Sequence, residues 1–159
     1  MRPILPLELH HSWPLFEQEQ RFDLGLMDRT DAFERAFSPI SPLDRDAAQR
    51  DGIGQWSCDL TDDNRLTWSG TIFDIFGLPR DATPTREETV GLYAEESRAA
   101  MERLRAYAIR HRRGFILDAM INGGDGQRRW MRLIAAPVCA GPRVTALRGL
   151  KLDVSATYR

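Results

Sequence analysis

Gly52–Arg80, GIGQWSCDLTDDNRLTWSGTIFDIFGLPR, is the stretch that decides the fold of this chain. Trp56, Cys58 and Leu60 alternate with Gln55, Ser57 and Asp59, the period of a half-buried strand. Thr61-Asp62-Asp63-Asn64 is turn chemistry, with side chains that tolerate left-handed backbone, and Leu66 and Trp68 continue as a second strand. Ser69 is placed to cap a helix over Gly70 to Phe76, which carries Ile72, Phe73 and Phe76 on one face. Gly77 and Pro79 stop that helix. The stretch is thus a hairpin that runs directly into an amphipathic helix.

Downstream, Thr83 or Thr85 starts a short helix within Pro84 to Leu92, and Glu95 to Arg113 forms a long one. Met101, Leu104, Ala108 and His111 make its inner stripe. Glutamates cluster at its start and arginines at its end, matching the helix dipole, and Gly114 is the expected stop. Phe115 to Asn122, Gln127 to Val138 and Arg143 to Val154 then read as three strands, joined by Gly123-Gly124-Asp125-Gly126 and Ala140-Gly141-Pro142. Both faces are apolar: Phe115, Leu117, Ala119 and Ile121 on one, Ile116 and Met120 on the other. Helices are expected over one face, and the N-terminal segment or a second subunit over the other.

Upstream, residues 1 to 40 hold four prolines and little strand pattern, with a helix expected from Pro14 and a short one from Asp31 to Phe37. Trp13, Phe16, Phe22, Leu26 and Phe33 are more apolar surface than a disordered tail carries. They form the candidate interface, packed on the domain's own sheet or on a partner chain. Ser41-Pro42-Leu43-Asp44 is a clean helix start and Gly52 ends that helix after Asp51. The chain divides into an N-terminal extension, 1–40, and a domain with its lead-in helix, 41–157.

Composition narrows the function. The 159 residues suffice for one core without disulfides or metals. A net charge of −1 argues against bulk electrostatic binding of nucleic acid or anionic membrane. Two cysteines give no metal site or disulfide framework, and no apolar run approaches a membrane span, so a cytoplasmic protein is expected. Arginine supplies 21 of the 22 basic residues and lysine only Lys151, a bias in keeping with a GC-rich bacterium.

The opening stretch, with its G-x-W-x-x-D-L entry and W-S…IFGLP continuation, resembles the start of a PAS domain of the bacterial sensor type. Asp125-Gly126-Gln127-Arg128-Arg129-Trp130 resembles that family's D-G-x-x-R-W hairpin, and Gly149 through Asp153 to Ser155 its G-x-x-x-D-V-S ending. Trp56, Asp59, Trp68, Trp130, Gly149 and Asp153 carry the match. The resemblance implies an α+β fold: a five-stranded antiparallel sheet, helices on one face, and here an N-terminal helical extension. The family's His-Pro-x-Asp-Arg element is replaced by Tyr93-Ala94-Glu95-Glu96-Ser97-Arg98, which leaves the boundary of the long helix open.

Enzyme motifs are missing: there is no G-x-S-x-G, Walker loop, paired His-Glu helix motif or G-x-G-x-x-G, so neither catalytic nor metal-binding residues are expected. Gly123-Gly124-Asp125 begins like a diguanylate cyclase signature but continues as a hairpin turn. Haem-binding PAS relatives use a histidine in the long helix, whereas His111 lies in the last turn. Flavin-binding relatives use a cysteine after the first helix, and none lies between Gly77 and Tyr93. No cofactor is therefore expected, and Cys58 reads as a core residue. Arg110–Arg113 and Arg128-Arg129 read as solvated charge, with a nucleotide or acidic protein surface as the alternative. Phe73, Phe76, Leu104 and Phe115 mark a candidate ligand cavity. The sequence stops four residues after Ser155, so signal is expected to pass in trans to a protein partner such as a sensor histidine kinase, with a homodimer favoured. The alternative is a small-molecule receptor whose primary act is binding in that cavity.

Overall fold

The computed structural model describes residues 12–18 and 52–158. The N-terminal segment contributes β1 (Ser12–Pro14) and a 3-10 turn (Leu15–Glu17). There follow β2 (Ile53–Asp59), β3 (Arg65–Trp68), α1 (Gly70–Phe76), α2 (Arg86–Val90), α3 (Glu95–His111), β4 (Arg113–Asn122), β5 (Arg128–Ala140), β6 (Arg143–Asp153) and a closing 3-10 turn (Ser155–Tyr158). Every strand pairing is antiparallel, in the order β1-β4-β5-β6-β2-β3. The fold is α+β, with the five expected strands present and a sixth added at the β4 edge.

Local chemistry sets the turns where the sequence placed them. Asp63 and Asn64 take φ of 52° and 57° between β2 and β3. Thr85 caps α2 in a reciprocal capping box with Glu88. Strand alternation sends Trp56, Cys58, Phe115, Leu117, Met131, Leu133 and Leu147 to the helix side, where they bury Ile72, Ile75 and Phe76 of α1 and Ala100, Met101, Leu104 and Ala108 of α3. A second cluster lies on the opposite face, where Trp13, Ile134, Ala136 and Leu150 are buried and Leu15, Ile53, Ile116 and Leu152 pack around them.

Three expectations need correction. Pro14 does not begin a helix: it ends β1 with extended backbone, φ −71° and ψ 150°, and the 3-10 turn starts after it. The edge position suits a residue with no N–H to donate. Gly114 does not stop the long helix. Arg112 takes the left-handed cap conformation at φ 54°, leaving Gly114 inside β4 and paired with Trp13. His111 is exposed on the last turn, outside the buried stripe, with its ring 4.3 Å from that of Tyr107. Phe22, Leu26, Phe33 and the lead-in helix lie outside the described residues.

The Trp13 indole lies flat on Gly114, where a Cβ would meet Cη2 at 2.2 Å. Arg113 fastens the same edge by donating to Ser12 Oγ at 2.8 Å and Ser12 O at 3.2 Å. Gly114→Ala should therefore displace β1 and lower stability by about 1–3 kcal/mol, measured by urea denaturation. An unchanged midpoint would mean that Trp13 does not occupy this edge.

Candidate functional site: a buried lysine under a pinned helix

The β4–β5 hairpin fixes α1 over the sheet. Gly77 ends α1 at φ 65°, and its missing side chain leaves room for the Asp125 carboxylate, whose Oδ1 would lie 2.3 Å from a Cβ there. Gly124 N–H donates to the Phe76 carbonyl at 2.9 Å and Arg129 donates to the Ile75 carbonyl at 3.3 Å. Both carbonyls belong to the unsatisfied last turn of the helix. Arg129 also pairs with Asp125 at 2.6 Å, and its hydrogen bond, helped by the Gln127 N–H, holds the Asp125 carboxyl down at about 2.

Beneath α1 sits Lys151, in the inward phase of β6 opposite Gly54 of β2 and Leu133 of β5. It is 6% exposed. Its Nζ lies 4.9 Å from the Phe76 ring centroid, 5.0 Å from that of Trp56 and 5.6 Å from that of Trp68. These rings are fixed by one another and by the backbone: Trp68 stacks on Phe76 at 5.0 Å and 15°, and the Trp56 indole donates to Leu150 O at 3.3 Å. The Lys151 side chain opens onto a cavity of about 50 Å³ lined also by Cys58, Arg86, Tyr93, Arg105 and Phe115. Among the described residues no Asp or Glu lines it. Burial without a counter-charge pulls the Lys151 ammonium down to about 7, and burial likewise raises the Tyr93 phenol. Arg86 is held by Glu102 and Arg105 by Asn64 Oδ1 at 3.0 Å.

The four residues expected to line a ligand cavity are divided. Phe115 lines the Lys151 cavity. Phe76 and Leu104 are buried in the core around it, while half-buried Phe73 lines a separate open cleft of about 520 Å³ between the β2–β3 turn and α2. The motif residues brace the frame. Asp59 accepts from Thr61 N and Oγ1 at 2.9 and 2.7 Å, and Asp153 accepts from Ser155 N at 2.9 Å. Trp130 stacks on Tyr158 at 4.6 Å, and Gly149 passes directly under the Ile134 carbonyl. Of the candidate interface, Trp13 is buried and Phe16 is 87% exposed. Among the described residues no group of three metal-ligating side chains is close enough to hold an ion, and no helix is long and apolar enough to cross a membrane. Lys151 itself was missed by sequence reasoning. Its signal was there: a lone lysine, in an arginine-rich chain, two residues from Gly149 and four from Leu147 on the inward phase of a strand.

No family model matches the sequence, and neither does any curated protein. Solved structures do match. The N-terminal domain of a diguanylate cyclase with PAS/PAC sensor from Marinobacter aquaeolei superposes with a TM-score of 0.61 at 16% identity, over 67% of this chain and 99% of that one. A sensory box histidine kinase/response regulator from Burkholderia thailandensis gives 0.60 at 17% identity, over 71% of this chain and 85% of that one. An RNA-binding light-oxygen-voltage receptor gives 0.59 at 16% identity, over 68% of this chain, which spans only 31% of that receptor. The chain has the PAS fold.

Between about pH 7 and the ordinary lysine value of 10.5, the unfolded chain binds a proton at Lys151 that the folded chain does not. Stability at this site therefore rises with pH across that window, and the penalty is complete below it. Lys151→Met should be more stable than wild type by on the order of 3–5 kcal/mol at pH 6, an advantage that shrinks as pH approaches 10. Urea denaturation at several pH values checks this, and a pH-independent difference would place the amine in water.

Proposed function

We propose that this chain is a non-enzymatic signalling module that acts by docking on a protein partner, with no haem, flavin or other resident cofactor. One observation carries this reading. The cavity beside Lys151 in the helix-side core is only about 50 Å³, while Phe16, three residues after the buried Trp13, is 87% exposed. A small interior cavity and an exposed aromatic ring on the N-terminal segment favour contact with another protein over storage of a large ligand. The occupant we favour is a second copy of this chain, joined through the N-terminal segment. The module then regulates another signalling protein in trans. A sensor histidine kinase is the proposed class, since a sensory box histidine kinase/response regulator shares the fold. We place this activity in the cytoplasm.

The second reading is a small-molecule receptor, favoured by the Lys151 cavity. The two separate experimentally. Phe16→Glu places a charge on the exposed ring position and should weaken a dimer by roughly ten-fold or more without lowering the melting temperature. Sedimentation of both proteins across micromolar concentrations reads it. A wild-type chain that stays monomeric removes the dimer and leaves the N-terminal segment as a cap on its own sheet.

The absence of a cofactor has its own measurement. Protein purified without added cofactor should show neither a Soret band nor flavin absorbance in the blue. Either band, retained through gel filtration, would reverse this part of the reading.

A further inference from the structure

Lys151 is a poor choice for a purely structural position. Its amine lies over three aromatic rings, and among the described residues no carboxylate lines the cavity it faces. The other charged side chains that line this cavity are also cationic, Arg86 and Arg105. An amine and two cationic neighbours thus surround a space of about 50 Å³.

We propose that Lys151 takes up carbon dioxide as a carbamate in this cavity, so that the domain is a receptor for dissolved CO2. The unprotonated amine attacks the carbon of CO2 and forms an N–C bond. One C=O electron pair moves onto oxygen, and the nitrogen gives its extra proton to water. The balance is R–NH2 + CO2 giving R–NHCOO⁻ + H⁺, with no oxidant, reductant or metal. Burial keeps a substantial fraction of the amine unprotonated near neutrality, as the reaction requires. The product is an anion, and it forms where the other charged lining residues are Arg86 and Arg105. The cavity of about 50 Å³ has room for the carboxyl group. Cys58, Tyr93 and Glu102 are the remaining titratable groups near the amine; Glu102 is already engaged by Arg86. The site is independent of the docking surface, and each can fail without the other.

The test uses the full chain equilibrated with ¹³C-labelled bicarbonate at pH 8, alkylated with a trialkyloxonium salt to trap carbamates, and mapped by peptide mass spectrometry. Lys151 is the only lysine and the α-amine of Met1 the only other alkylamine, so two positions account for any label. A trapped carbamate on Lys151 in the native protein is expected. It should fall by at least roughly ten-fold at pH 6 at the same dissolved CO2, because the amine protonates and the reaction itself releases a proton. ¹³C NMR of the wild-type protein provides the same reading without trapping. A label on Met1 with none on Lys151 overturns the proposal. So does a Lys151 label of equal strength in urea, which would mark it as ordinary amine chemistry and not a built site.

Discussion

The fold depends on how α1 is held against the sheet. The helix has only seven residues, too few to persist by its own hydrogen bonds. It is held at its C-terminal end, where the β4–β5 hairpin supplies donors to the Ile75 and Phe76 carbonyls, and along its inner face by Ile72, Ile75 and Phe76. Both attachments need close approach. Gly54 of β2 carries no side chain because Ile72 occupies that space: a Cβ would lie 2.3 Å from its Cγ1. Trp68 and Phe76 stack only because α1 is pinned this way, and their rings form much of the box around Lys151. The motif residues Asp125, Arg129 and Gly77 are therefore far from decorative. They set the position of the aromatic wall.

Much of this was legible in the sequence because it rests on local chemistry. The Asp63-Asn64 turn, the Thr85 capping box and the Gly77 stop are each decided by a few neighbouring residues, and each forms where their side chains predict. Strand phase was equally readable, since burial alternates along β2 and β4 as the apolar pattern does. Failures arose where a contact between residues distant in sequence overrode a local signal. Gly114 looked like a helix stop, yet it is glycine because Trp13, 101 residues earlier, lies upon it. Pro14 looked like a helix start, yet the same contact draws Ser12–Pro14 into the sheet.

The candidate site was less legible for a related reason. Phe73 and Phe76 both fit an apolar helical face, but seven residues make less than two full turns, too few to fix the phase. Ile75 takes the inner position and Phe73 turns to the open cleft, ring edge toward Trp68. Lys151 was hidden by its type. A lysine on a strand is ordinarily solvated, and only its register opposite Gly54 and Leu133 turns it inward.

Burying that amine opposes stability, and the surrounding structure tolerates it without neutralising it. Three aromatic faces offset part of the desolvation of the charged form, and the remainder appears as the depressed proton affinity. A methionine would fill the same space with no such penalty. On the opposite face of the same sheet Ile134, Ala136 and Leu150 are buried with Trp13, and Leu15, Ile53, Ile116 and Leu152 pack around them. Strand β6 links the two faces, with Lys151 on one side and its neighbours Leu150 and Leu152 on the other. A change at Lys151 thus lies one residue, on either side, from the cluster into which Trp13 of the N-terminal segment packs. That adjacency gives a single-layer sheet a physical route from its interior to the N-terminal segment.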